Sequence, residues 1–269
     1  MSTLTLTLRA PPVRSMDVSA LTPERLAGLS VAHIGALPLP DGSCVADVFD
    51  IEAGDAHHLL IRNSCDRLTH IGAAMRSGTI SVEGDCGDYA GLGLNGGHLN
   101  IGGNAGDFAG GAMKAGMIRI GGNAGDFAGG ALTGNRQGMR GGTLAIHGDA
   151  GDRAGERMRR GLLLIGANAG AYCGANMLAG TIFVAGKAGT MPGFSLARGT
   201  LLLAHMPEHI PVTFQDSGEH ALLFLTLLEK QLQREGPAFA RFLPLNQKVR
   251  RYCGDLALGG TGEILVFCR

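Results

Sequence analysis

Four sets of residues in this chain could do chemistry. His205-Met206-Pro207-Glu208-His209 matches H-x-x-E-H, a zinc-peptidase signature. That chemistry needs both histidines on one helical face, and Pro207 in the middle removes the helix. The stretches I-G-G-N-A-G-D-F-A-G at 101–110 and 120–129 imitate a phosphate-cradling glycine loop. Such a loop is used once, between a strand and a helix N-terminus, whereas near-copies with no helix after them point to architecture. Asp and Asn recur at Asp85, Asn104, Asn123, Asp149 and Asn168, and again at Asp88, Asp107, Asp126 and Asp152. Stacked carboxylates could ligate calcium. The calcium-binding roll, however, uses nine-residue units, and the same side chains suit a ladder bonded to the backbone of successive bends. Tyr89, Phe108, Phe127 and Tyr172, with Arg153 in series, read as packed rings. His57, His58, His98 and His147 read as surface or turn residues, and no Ser/His/Asp or Cys/His set stands out by spacing.

An arginine cluster remains. Asn135 to Gly141 interrupts a regular pattern, and its Arg136 and Arg140 are followed closely by Arg153, Arg157, Arg159 and Arg160. Guanidinium forks suit carboxylates and phosphates. Arg136, Arg140, Arg153 and Arg157 are therefore candidate contacts for an anionic ligand or an acidic partner surface. The competing reading is a solvated rim that keeps an edge soluble.

The elements that position these residues come from a repeat. Aligned on Gly78, Gly97, Gly116, Gly142, Gly161, Gly180 and Gly199, residues 78–200 are one 19-residue unit written six times, with one seven-residue insertion. Counting each of those glycines as position 1, further glycines fall at positions 10 and 14, and Ile, Leu or Val at positions 3 and 5. Position 9 is Cys or Ala, position 13 is Ala, Cys or Pro, and position 17 is Leu or Met, Leu132 filling it in the third copy. A short fixed period marks a solenoid, whose units bury apolar surface only by stacking. Nineteen residues with three glycines are too few for helix pairs and suit one coil of a parallel β-helix, its bends entered by glycine at positive φ. The leucine-rich frame and the collagen period are absent. The fold class expected is mainly β: a single-stranded right-handed parallel β-helix of 19-residue coils, with N-terminal and C-terminal capping segments containing short helices. Six coils at about 4.8 Å each make a prism roughly 30 Å long.

Composition agrees. The chain has 269 residues, 45% of them hydrophobic, and a formal charge of zero, so nothing global calls for nucleic acid or membrane. Cys44, Cys65, Cys86, Cys173, Cys253 and Cys268 form no C-x-x-C pair and read as free thiols in a reducing cytosol. Residues 1–58 read as an N-terminal cap, with an edge strand at Thr3–Leu8 and a short helix capped by Thr22. Two strands follow around Pro40-Asp41-Gly42. Residues 59–204 read as the β-helix, beginning with a degraded coil in which Leu60 is apolar without alternation. Residues 205–269 read as a helix from Ser217 to Arg234, stopped by Gly236 and covering the other end or a partner, then an extended tail with a terminal strand.

The repeat, with the tail R-Y-C-G-D-L at 251–256 and G-G-T-G-E-I-L-V at 259–266, resembles the glycine-rich β-helix shared by glutamate synthase C-terminal domains and formylmethanofuran dehydrogenase C subunits. The free-standing length and Arg-rich, Lys-poor composition are similar to the C subunit of the formyltransferase/hydrolase complexes of methylotrophic bacteria. That resemblance implies a non-catalytic assembly subunit in one-carbon oxidation. The complex would convert formyl-tetrahydromethanopterin to formate through a methanofuran-type carrier. It implies a formyltransferase subunit, an amidohydrolase-like hydrolase subunit and a further subunit as partners, with carrier and metals held by them. It supplies no catalytic residue, cofactor or metal for this chain. A tungsten- or molybdenum-containing formylmethanofuran dehydrogenase and a glutamate synthase-like domain are the alternatives.

Overall fold

Stretches of alternating Ile, Leu and Val become the rungs of one sheet. The computed structural model describes residues 2–242 and 248–268. In chain order the first elements are β1 (Thr3–Leu8), β2 (Met16–Asp17), α1 (Pro23–Leu26), α2 (Val31–Gly35), α3 (Val45–Val48), β3 (Phe49–Glu52), β4 (Asp55–Ser64) and β5 (Leu68–Thr69). The repeats supply β6 (Thr79–Gly84), β7 (Asn95–Ile101), β8 (Ala115–Ile120), β9 (Arg140–Ile146), β10 (Arg160–Ile165), β11 (Thr181–Val184) and β12 (Arg198–Leu203). Then come β13 (Gln215–His220), α4 (Phe224–Arg234), α5 (Pro237–Ala240), β14 (Val249–Gly254), a 3-10 turn and β15 (Thr261–Phe267).

Among the described residues thirteen strands form one sheet, ordered β13-β14-β15-β12-β11-β10-β9-β8-β7-β6-β4-β1-β3, and β2 pairs separately with β5. Ten of them, β1, β4, β6 to β12 and β15, stack parallel, while β3 at one end and β14 then β13 at the other join through antiparallel pairs. Ile80, Leu99, Ile118, Leu144, Leu163, Ile182, Leu201 and Ile264 form one buried column and Val82, Ile101, Ile120, Ile146, Ile165, Val184, Leu203 and Val266 the next. Each such side chain contributes roughly 1.5–3 kcal/mol on burial, which no isolated coil could collect. On another side of the coil, position 9 forms single-residue parallel bridges from Cys86 through Ala105, Ala124, Ala150 and Ala169 to Ala188.

Several expectations are corrected. Thr3–Leu8 is not the edge: it stacks inside β3, placing Leu4 beside Leu59 and Leu6 beside Ile61. The first coil does alternate, with Leu59 and Ile61 inward and Leu60 half-buried. Leu59 pairs with Ile80, so this coil is two residues longer than the repeat and its phase was displaced. Thr22 precedes α1, but its hydroxyl makes no cap bond. Around Pro40-Asp41-Gly42 only a Pro38–Cys44 bridge forms, and α3 fills the stretch before β3.

The insertion is 132–138. Ala131 N–H donates to Glu156 O as the equivalent Ala112 N–H does to Gly130 O, and Met139, fully buried, takes the inward slot assigned to Leu132. Arg140 thus opens β9 and is no part of the bulge. Ser217 lies in β13; α4 starts at Phe224, and Gly236 at φ +97 follows its end. Residues 243–247 of the expected C-terminal segment lie outside the described residues.

The expected tail is the last rung: Gly262, Ile264 and Val266 stack on Gly199, Leu201 and Leu203. The helix covers no end. It lies on the outer face of the sheet, where Leu225, Leu228 and Leu232 pack with Ala145, Leu164, Phe183, Leu202 and Leu265. Register makes Ser81, Asn100 and Arg119 the earlier members of that outer column, Ser81 and Asn100 polar beyond the helix and Arg119 at its C-terminal end.

Candidate functional site

The recurring Asp and Asn side chains are consumed by the backbone. Oδ1 of Asp85, Asn104, Asn123, Asp149 and Asn168 each accepts the N–H one coil on, at Asn104, Asn123, Asp149, Asn168 and Lys187, at 2.7–2.9 Å. Asp88, Asp107, Asp126 and Asp152 do the same for Asp107, Asp126, Asp152 and Ala171 at 2.7–2.8 Å. Each side chain thereby satisfies a donor that the bend leaves unpaired, as the ladder reading requires. Among the described residues no group of three or more His, Cys, Asp or Glu could hold a metal ion.

Beside this ladder runs a column of rings. His70 stacks on Tyr89 at 4.7 Å, Tyr89 on Phe108 at 5.4 Å, and Phe108 on Phe127 at 4.8 Å. Arg153 continues it, its guanidinium 5.9 Å from the Phe127 centroid and 5.1 Å from that of Tyr172.

The four candidate arginines do not act as one set. Arg153 and Arg157 flank the buried carboxylate of Glu156 at 3.5 and 3.9 Å, and Arg157 donates to Asn135 O at 2.8 Å. Their charge is partly used in pinning the insertion to the next coil. Arg136, on the insertion, and Arg140, at the start of β9, are exposed and have no carboxylate partner among the described residues. Arg140 also belongs to a series the sequence reading missed. Counted back from each strand, Arg76, Lys114, Arg140 and Arg159 share position 18, and Arg160 and Arg198 adjoin it, all exposed. The signal was the repeat frame itself, read at one more position. The aspartates flank position 9, so the two charge signs occupy different sides of the coil.

His205 and Glu208 lie in irregular chain, and His209 sits 3.8 Å from Glu208 with both side chains above 80% exposed. His57, His58 and His98 are exposed, but His147 is half-buried under the helix end. Its Nδ1 lies 3.0 Å from Ile120 O and its Nε2 2.9 Å from Glu235 O. Arg119 Nε donates to the buried Glu235 carboxylate at 2.8 Å, so a polar lock invisible in the sequence spacing ties α4 to the coils. Burial pushes the Cys86 and Cys173 thiols up to about 12, Asp85 and Asp88 adding to the effect at Cys86. Such thiols are poor nucleophiles. No helix among the described residues is long and apolar enough to cross a membrane. The Asp and Asn side chains thus mainly hold successive coils together, while arginines ahead of the strands and several large apolar side chains stay exposed.

No family model matches the chain. The C subunit of the formyltransferase/hydrolase complex of Methylorubrum extorquens is 42% identical over 86 residues, 31% of this chain and 32% of that protein. The C subunit of tungsten-containing formylmethanofuran dehydrogenase 2 of Methanococcus maripaludis is 30% identical over 97 residues, 34% of this chain and 36% of that protein. The matched segments span about a third of the length of these curated relatives. The crystal structure of the formyltransferase/hydrolase complex from Methylorubrum extorquens, in complex with methylofuran, contains a chain of the same shape. The TM-score is 0.92 at 41% identity, over 98% of this chain and 100% of that one.

Proposed function

We propose, since this chain belongs to the C-subunit family of formyltransferase/hydrolase complexes, that it is the non-catalytic assembly subunit of such a complex. The complex would carry a formyl group from formyl-tetrahydromethanopterin to a methanofuran-type carrier and release formate. The formyltransferase and amidohydrolase-like subunits perform these steps in the cytoplasm, with carrier and metals bound in those partners. One observation carries the reading: likeness to a chain of a methylofuran-bound complex over 98% of this chain and all of that one. In this role residues 59–204 supply eight of the rod's ten rungs, the segment before them adds β1 and the segment after them adds β15. Arg136, Arg140, Arg153 and Arg157 contact the anionic carrier or an acidic partner surface, Arg136 and Arg140 being the two with uncommitted charge.

The test is purification of the tagged chain from its own cells at native expression. Formyltransferase and amidohydrolase-like subunits are expected to come with it, and the chain alone should leave formylated carrier unchanged. Co-purification of tungsten- or molybdenum-pterin and iron–sulfur subunits, or turnover by the isolated chain, overturns the proposal. Replacing Arg136, Arg140, Arg153 and Arg157 with Ser should weaken assembly or raise the KM for carrier, the gap from the unaltered chain narrowing as salt screens the charges. Unchanged yield together with unchanged KM would remove the arginines from the interface.

A further inference from the structure

We propose that the groove between α4 and the starts of β9, β10 and β11 docks an acidic, amphipathic segment of a partner subunit. This inference rests on the assembly role proposed above. Helix α4 attaches to the sheet through Leu225, Leu228 and Leu232. Leu223 and Leu227, four residues apart, form a second apolar stripe left exposed among the described residues, at 87% and 70% exposure. Leu227 and Phe224 wall a groove whose floor is Leu162 and the glycines Gly142 and Gly161. Both glycines sit at positive φ, +79 and +101, and a Cβ on either would meet the methyl of the buried Met113 or Met139.

Charge selects the occupant. Arg160 immediately precedes Gly161, Arg140 stands two residues before Gly142, and the two arginines are partners across the sheet. Both are exposed and without a carboxylate partner among the described residues, with Arg159 beside them and Arg198 two coils further on. Three rungs span about 10 Å, the length of roughly two helical turns. A segment placing apolar side chains at i and i+3 or i+4 over Leu162 and Leu227 would turn its flanking Asp or Glu toward Arg140 and Arg160. A basic or uncharged segment would leave both guanidinium groups unpaired.

The experiment places the photo-crosslinker p-benzoylphenylalanine at Leu227, purifies the assembled complex, irradiates it and sequences the joined peptide. The expected product links residue 227 to a partner-subunit segment with carboxylates beside its apolar residues. A second arm combines Leu227→Lys with Arg160→Glu, both on exposed side chains. Partner yield at physiological salt should fall at least tenfold, with the thermal midpoint of the isolated chain unchanged. A link to a second copy of this chain, a link to a basic or uncharged segment, or no link from an intact complex overturns the inference alone. If no formyltransferase or hydrolase subunit accompanies even the unaltered chain, the assembly role fails and the docking site fails with it.

Discussion

At position 10 of each coil glycine is required by contact and not by backbone freedom. Gly106, Gly125, Gly151 and Gly170 have ordinary φ, yet a Cβ on Gly125 would meet the Asp107 side-chain oxygen and lie 2.9 Å from Asp107 N. The glycines of positions 1 and 14 have the positive φ expected of the bends, as do non-glycine residues at positions 12 and 16 such as Phe108 and Ala112, so that expectation fails at position 10 alone. Gly125→Ala should therefore cost about 3 kcal/mol by overpacking. Gly134→Ala, at φ +83 with nothing within 4 Å, should cost only about 1 kcal/mol. Urea unfolding of the two variants checks the order. The buried thiols give a pH signature. Cys86 and Cys173 ordinarily titrate at 9.0 and in the folded chain at about 12. A raised folded value means their contribution is complete below pH 9 and is lost as pH climbs from 9 toward 12. The slope is roughly 1.4 kcal/mol per pH unit for each thiol. Cys86→Ala with Cys173→Ala, which match Ala105 and Ala154 in the same columns, should flatten that alkaline decline in urea midpoints between pH 9 and 11.

Helix α4 shows how an element is placed by its polar end as well as by its apolar stripe. Glu235 is fully buried and Arg119 is 36% exposed, so the pair is worth less than an enclosed one. Arg119→Ala should cost about 2 kcal/mol, because it leaves a buried carboxylate without its partner. Adding Glu235→Gln should recover part of that loss, and a double-mutant cycle with hydrogen exchange across 224–234 measures it. The existence of α4 and its stop at Gly236 were legible from the spacing of Leu225, Leu228 and Leu232. Its start was not, because Ser217 is an equally good cap by type and only pairing with β14 makes it strand. The end strand was legible too, since Gly262, Ile264 and Val266 repeat positions 1, 3 and 5. Sixty-odd intervening residues hid that phase.

As a whole the molecule is a rod of ten parallel rungs, about 43 Å long, with opposite charges on different sides. Its zero net charge conceals six aspartates beside the position 9 column and the arginines and lysine ahead of the strands. Truncation after Asp255 should strip β15, uncover Leu201, Leu202 and Leu203 and leave an open sheet edge that recruits other chains. Size-exclusion chromatography should show aggregate, and a stable monomer would mean that the rod tolerates an open end. What the sequence by itself determined was the coil: glycines, inward Ile, Leu and Val, and the Asp ladder all answer to contacts repeated every nineteen residues. What only the tertiary structure decided was everything joined across longer separations. That includes β1 stacked inside β3, Met139 taking the slot of Leu132, the lock of Arg119 and His147 on Glu235, and the groove that α4 forms over the starts of β9, β10 and β11. Periodic contacts leave a periodic trace in the chain, whereas a contact made once between distant segments leaves none.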